Sequence, residues 1–152
     1  MARILIFIYR ILVSVLMWPA GLVLSRHPNF AGTIMQRLGL RLPEVPQGRP
    51  LVWVHAASVG EVKAVSGLVK ALKHRNPGIA VCVSTMTATG NKVASSIPDV
   101  DLVIPFPFDA SWVMRRYLLR LYPALVVIVE TEIWPNMMLA ARDMGRPVAV
   151  VN

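Results

Sequence analysis

Three short clusters in this 152-residue chain combine carboxylates, hydroxyls and glycines at spacings that chemistry can use. The first is His55-Ala56-Ala57-Ser58-Val59-Gly60-Glu61. The second is Ser84-Thr85-Met86-Thr87-Ala88-Thr89-Gly90, and the third is Glu130-Thr131-Glu132-Ile133-Trp134-Pro135-Asn136. Glutamates beside hydroxyls and helix N-termini suit removal of a proton from an alcohol, with backbone N–H groups free to bind an anion. Each cluster also has a plain structural reading. Ser58-x-x-Glu61 is a capping box. Residues 85–90 can be hydroxyl capping and turn chemistry. Glu130 and Glu132 favour the dipole of the helix that Pro135 opens. His55 at a strand end is more often a satisfied structural histidine than a catalytic base. The two kinds of reading are compatible, because a glutamate fixed by a capping box is also held rigidly. No P-loop, G-x-G-x-x-G, H-E-x-x-H or G-x-S-x-G accompanies them.

The clusters have to be positioned by something, and the pattern from residue 51 onward says what. Apolar runs at 51–56, 79–84, 102–105, 124–129 and 147–151 predict strands. Between them, 61–74, 89–96, 111–121 and 136–144 predict helices. The strand runs are continuously apolar rather than alternating, the signature of a parallel sheet covered on both faces. Strand and helix alternate throughout, so the fold class is α/β, a Rossmann-like doubly wound sheet. All three clusters then fall after the carboxyl ends of strands, where open parallel sheets bind ligands. The last strand has no closing helix after it, which reads as an incomplete domain in a fragment of a longer protein.

Before the sheet lie two further regions. Residues 4–24 read ILIFIYRILVSVLMWPAGLVL, a 21-residue apolar run of about 31 Å as a helix, long enough to cross a hydrocarbon core. Its one charge, Arg10, is placed to snorkel. Residues 1–27 are therefore expected to be a membrane anchor helix, either spanning or lying in the interface, with a plain buried helix as the remaining alternative. Residues 28–50 carry four prolines and three glycines and read as a linker, with a short helix over 29–40.

Composition agrees. Apolar residues are 55% and charged residues 16%, with a mean hydropathy of +0.57, which excludes intrinsic disorder. The net charge is +8; residues 1–49 carry six arginines against Glu44 alone. Positive charge beside the most apolar segment fits an anionic membrane surface, and the positive-inside tendency places the rest on the cytoplasmic side. No basic stripe interleaved with aromatics appears, so nucleic acid is not expected as a partner. The single cysteine, Cys82, precludes an internal disulfide and a cysteine-based zinc cluster and reads as an inert core residue.

At the spacings His55-x-x-Ser58-Val59-Gly60-Glu61, Thr85-x-Thr87-x-Thr89-Gly90 and Glu130-Thr131-Glu132-x-Trp134-Pro135-Asn136, together with Pro105-Phe106-Pro107-Phe108-Asp109, the chain resembles the 3-deoxy-D-manno-octulosonic acid (Kdo) transferases. One departure is Ala88, where the family often has proline. The resemblance implies a GT-B fold of two Rossmann-like domains, with residues 51–152 as the acceptor-side domain and the C-terminal donor domain absent. It implies transfer of Kdo from CMP-Kdo to a lipid A precursor at the cytoplasmic side of the inner membrane, and no metal or cofactor. Carried over by position, Glu61 becomes the general base and Glu130 the residue assisting the transition state. Ser58, Gly60, Thr85, Thr87 and Glu132 fall to acceptor binding. Two alternatives stay open: another membrane-associated nucleotide-sugar transferase of this fold, or a non-catalytic membrane-tethered interaction domain.

Overall fold

The computed structural model describes residues 2–27, 30, 32–130 and 132–152. Two helices, α1 (Ala2–Leu24) and α2 (Ile34–Arg37), precede five strands: β1 (Leu51–His55), β2 (Ala80–Thr85), β3 (Leu102–Pro105), β4 (Leu125–Val129) and β5 (Val148–Val151). Between consecutive strands run α3 (Val59–Arg75), α4 (Ala88–Ala94), α5 (Ser111–Leu121) and α6 (Pro135–Asp143). All strand pairings are parallel, in the order β3-β2-β1-β4-β5.

The continuous apolar runs have a simple cause. Successive residues of a strand face opposite sides, and here both sides are covered. Leu51, Trp53, Ala80, Cys82, Val126 and Ile128 pack on one side against Val113, Met114, Tyr117 and Leu118 of α5 and Met137, Ala140 and Ala141 of α6. Val52, Val54, Val81, Val83, Val127 and Val129 pack on the other against Val62, Val65 and Val69 of α3 and Ala94 of α4. Burial also pushes the Cys82 thiol up in pKa, as an inert core cysteine requires.

The strand order reverses at β1. The chain steps outward from β1 through β2 to β3, then returns to lay β4 on the other flank of β1. That reversal leaves a crevice at the carboxyl ends of β1 and β4.

The helix in the linker is shorter than the 29–40 expected, and Pro28 and Asn29 lie outside the described residues. It ends in a Schellman motif, with Leu40 N–H donating to the Met35 carbonyl (2.8 Å) and Gly39 N–H to that of Gln36 (2.7 Å). Gly39 sits at φ +65°, the left-handed value this ending requires. The motif stops the helix one residue after Arg37, whose side chain is fully buried. Its guanidinium donates to the carbonyls of Phe106 (2.9 Å) and Met86 (2.8 Å) and lies 4.8 Å from the centre of the Phe30 ring. It thus ties together the segments that leave β2 and β3. Desolvation lowers its pKa to about 10, which leaves it charged at neutral pH.

The N-terminal helix forms, but not as a free span. Among the described residues no helix is long and apolar enough to cross a membrane. The spanning form of the anchor is therefore corrected: α1 lies against the domain. The Tyr9 hydroxyl donates to Asp109 Oδ2 and Arg10 Nε to Ser111 Oγ, both at 2.8 Å. Val13 and Met17 pack onto the core. The apolarity read from the sequence is real, yet these residues commit one side of the helix to protein. The other side, including Phe7, Ile8, Ile11, Leu12, Val15 and Leu16, is exposed.

Asp109, between β3 and α5, joins these parts. The N-cap position of α6, Trp134, supplies no side-chain cap. Asp109 supplies one from across the fold: Oδ2 accepts from Asn136 N–H (3.0 Å) and Oδ1 from Met137 N–H (2.8 Å). The Asn136 amide returns a hydrogen bond to the Asp109 carbonyl. Burial raises the Asp109 pKa, and the bonds from Asn136, Tyr9 and Met137 offset only part of that. Replacing Asp109 with Ala strands two buried N–H donors at a helix N-terminus. We expect a loss of about 2–4 kcal/mol in denaturant unfolding. Tyr9→Phe should cost about 0.5–1.5 kcal/mol. An Asp109→Ala protein as stable as the wild type would contradict the role given to this cap.

Candidate active site

The crevice between β1 and β4 gathers two of the three sequence clusters, and the third borders it from β2. Where β1 ends, Ala56 N–H donates to the Ser84 carbonyl (3.0 Å) and Met86 N–H to that of Ala57 (3.4 Å), so the first and second clusters are stitched together.

Ser58 is the N-cap of α3, and its hydroxyl accepts from Glu61 N–H at 3.2 Å. The Glu61 carboxylate turns back as a capping box requires, but its Oε2 accepts from Ala57 N–H (2.8 Å), one residue before the N-cap. One oxygen is thereby anchored to the chain leaving β1. The half-buried side chain keeps its second oxygen without a hydrogen-bond partner among the described residues. Gly60 is exposed beside it.

Thr85 is fully buried at the end of β2. Its hydroxyl donates to Asn91 Oδ1 (2.8 Å) and lies 3.0 Å from the Thr87 carbonyl oxygen. Thr87 is the N-cap of α4 and accepts from Gly90 N–H at 2.9 Å. Gly90 has to be glycine, because a Cβ there would lie 2.8 Å from Thr85 Oγ1 and 3.0 Å from Thr87 Oγ1. The two hydroxyls thus shape the turn, and half-buried Thr87 stays at the rim.

The third cluster divides. Glu130 sits immediately after β4 at φ +65°, a left-handed conformation that is strained for a residue with a side chain. Its N–H donates to the Val151 carbonyl (2.7 Å), which fixes that turn against β5. The exposed Glu130 side chain borders a pocket of about 260 Å³ shared with Ala64, Val65 and Leu68 of α3. Thr131 lies outside the described residues. Glu132 turns to the opposite side, where its Oε2 is 3.2 Å from His55 Nε2 and accepts from Trp134 Nε1 at 3.0 Å. The hydrogen bond from His55, opposed by partial burial and aided by Trp134, holds the Glu132 carboxyl below the ordinary glutamate range.

Sequence reasoning missed the supports of this loop. In the sequence Asp109 is only the end of a Pro-Phe-Pro-Phe-Asp segment, yet it fixes the start of α6. Ser111, which accepts from Arg10, donates to Asn136 Oδ1 at 2.8 Å and ties α5 to the same point. Phe106 stacks under the His55 ring, 3.8 Å between centres. An aspartate two residues before a helix is a fair sign of capping, but the helix it caps here is not the one that follows it.

Comparison with known proteins identifies the family. Residues 33–152 match the family described as 3-deoxy-D-manno-octulosonic-acid transferase (kdotransferase). A 3-deoxy-D-manno-octulosonic acid transferase of Chlamydia pneumoniae is 36% identical over 126 residues, covering 82% of this chain and 29% of the relative. Its counterpart in Bordetella pertussis is 36% identical over 129 residues, covering 81% and 29%. That of Haemophilus influenzae is 32% identical, covering 77% and 28%. The chain therefore spans less than a third of the length of these relatives.

The Glu132 environment has a measurable signature. A carboxyl whose folded pKa is lowered stabilises the fold above its unfolded value, about 4.3. That contribution is lost as pH falls through the lower folded value. We expect a carboxyl titration followed by NMR to place the Glu132 midpoint below 4.3, roughly the ordinary value. Unfolding measured between neutral and acidic pH should lose less stability in Glu132→Gln than in the wild type. A midpoint at or above the ordinary value would refute the bonding described.

Proposed function

This chain belongs to the 3-deoxy-D-manno-octulosonic acid transferase family, and we propose that it forms the acceptor-side Rossmann-like domain of a GT-B enzyme that transfers Kdo from CMP-Kdo to a lipid A precursor. The relatives' remaining length, beyond the part matched here, supplies the donor site in this reading. The observation that carries it is the Glu61 carboxylate. It is anchored through one oxygen to Ala57 N–H and keeps the other free at the crevice where the strand order reverses. A base in that position has lost its rotational freedom before substrate arrives.

In the reaction, a hydroxyl oxygen of the acceptor sugar attacks the anomeric carbon of Kdo while the bond to the CMP phosphate oxygen breaks. Glu61 takes the hydroxyl proton. An alcohol is a poor nucleophile unassisted, and one positioned base is worth roughly 10²–10⁴ in rate. Positive charge builds on the Kdo ring as the leaving group departs. Glu130, held outward by its left-handed backbone, supplies a carboxylate to meet that charge. Ser58, Gly60 and Thr87 line the acceptor side of the crevice. Ser58 holds the first turn of α3 in place, Gly60 leaves its approach open, and Thr85 fixes Thr87 from below.

The same reading places the protein on the cytoplasmic face of the inner membrane. Support comes from α1, whose exposed side is apolar along its length, and from the exposed Arg26 and Arg41 that follow it. A helix pinned by Tyr9 and Arg10 on one side and apolar on the other is suited to lie in the interface, with arginines facing anionic headgroups.

Two measurements test these proposals. In the full-length transferase that carries this segment, Glu61→Gln should lower Kdo transfer by at least roughly 10²-fold. The amide can still accept from Ala57 N–H, so stability should change by less than about 1 kcal/mol. Glu44→Gln serves as the control. Near-normal transfer by the Glu61→Gln enzyme would return Glu61 to a capping role alone. For the membrane, this chain should float with phosphatidylglycerol vesicles, and Phe7→Ser combined with Ile11→Ser should cut the bound fraction several-fold. Equal flotation of the double variant would remove α1 as the contact.

A further inference from the structure

We propose that His55 is a positioning residue, which fixes Glu132 so that its free oxygen holds a hydroxyl of the sugar acceptor; this rests on the acceptor-side reading above. The ring is the last side chain of β1 and is fully buried. It lies flat on Phe106 and meets Trp134 edge-on at 5.8 Å. Its Nδ1 is 3.1 Å from both the carbonyl oxygen and the hydroxyl of Ser84. The Ser84 hydroxyl already accepts from Trp53 Nε1 at 2.9 Å, so its own proton is free to go to His55 Nδ1. The ring proton then sits on Nε2 and points at Glu132 Oε2. Every donor in the series Trp53, Ser84, His55, Glu132 finds an acceptor, and the series runs from the sheet interior to the rim.

The polar series asks for a reason. A phenylalanine at position 55 would fill the same space on Phe106 without burying polar atoms, and burial of polar groups is costly unless every partner is met. Here every partner is met, and the chain of bonds ends on a carboxylate. Trp134 and His55 both address Oε2, which leaves Oε1 unbonded among the described residues on a side chain that is 33% exposed. An acceptor oxygen fixed before substrate arrives needs no reorganisation to bind a hydroxyl. The Ser84 carbonyl also accepts from Nδ1 when the ring is doubly protonated, so the link to Glu132 survives in either charge state.

The test has two arms. In this chain, His55→Phe keeps the ring stack and removes both nitrogens. The Glu132 carboxyl midpoint should then rise and the Trp134 indole resonance should shift. His55→Gln, whose amide reaches the Nε2 position, should restore both. In the full-length transferase, Glu132→Gln should lower kcat/KM for the acceptor roughly 10–100-fold, the value of one hydrogen bond to a charged group. The KM for CMP-Kdo should stay unchanged. His55→Phe should give the same loss, His55→Gln should recover most of it, and the His55→Phe, Glu132→Gln double variant should lose no more than either single one. Additive losses would make His55 merely structural and overturn the proposal. So would an unchanged Glu132 midpoint in His55→Phe, or wild-type acceptor kinetics in Glu132→Gln. That last variant alters a partly exposed side chain and decides the matter if His55→Phe does not fold. An enzyme disabled by Glu61→Gln but indifferent to Glu132→Gln would refute the His55 proposal alone. One active with Glu61→Gln would instead refute the base assignment.

Discussion

Asp109 holds together three parts of the chain that no local rule would join. Its carboxylate takes the Tyr9 hydroxyl from α1 and the first free N–H groups of α6, all on one face of the sheet. A helix N-terminus leaves several donors unmet, and these are usually satisfied by the residue just before it. Trp134 cannot do that. With the cap supplied from elsewhere, the residues between β4 and α6 are released to carry Glu130, Glu132 and Trp134 instead of capping groups. The start of α6 is nonetheless fixed, by Asp109 at one end and by Glu130 N–H on β5 at the other.

The same division of labour runs through the carboxyl edge. Arg37 stands where a carboxylate partner would ordinarily be needed, yet it is satisfied by the carbonyls of Phe106 and Met86 and by the Phe30 ring. Backbone oxygens at strand exits are left over once the ladder ends, and one planar guanidinium collects two of them. Thr85 does for the turn into α4 what Arg37 does for the segments around it. The rim is held from beneath, which leaves Glu61, Glu130 and Glu132 uninvolved in holding it up except through single oxygens or backbone groups.

Much of this was legible in the sequence, for identifiable reasons. The strands declared themselves because both faces of the sheet are covered, so Val52 and Trp53 are both buried though they face opposite ways. Ser58 and Glu61 announced the start of α3 because a capping box is local, although the carboxylate reaches Ala57. What sequence could not supply was anything decided at long range. In the sequence Arg37 is one of the basic charges flanking an apolar segment, and in the fold it is buried. The apolar run at the N-terminus shows its length in the sequence, while its lie is set by Tyr9 and Arg10 meeting residues about a hundred positions away. His55 reads in sequence as a structural histidine or a base. Its bonds to both Ser84 and Glu132 depend on the pairing of three strands that only the fold brings together.

The left-handed backbone at Glu130 sets the chemistry proposed for this residue against stability at one position. Glycine or asparagine would occupy φ +65° with less strain, by about 1 kcal/mol for glycine. A library of variants sorted only by heat resistance would drift toward those residues and discard the carboxylate. The persistence of glutamate under such sorting, or its loss, would separate what this turn needs as a turn from what the protein needs of it.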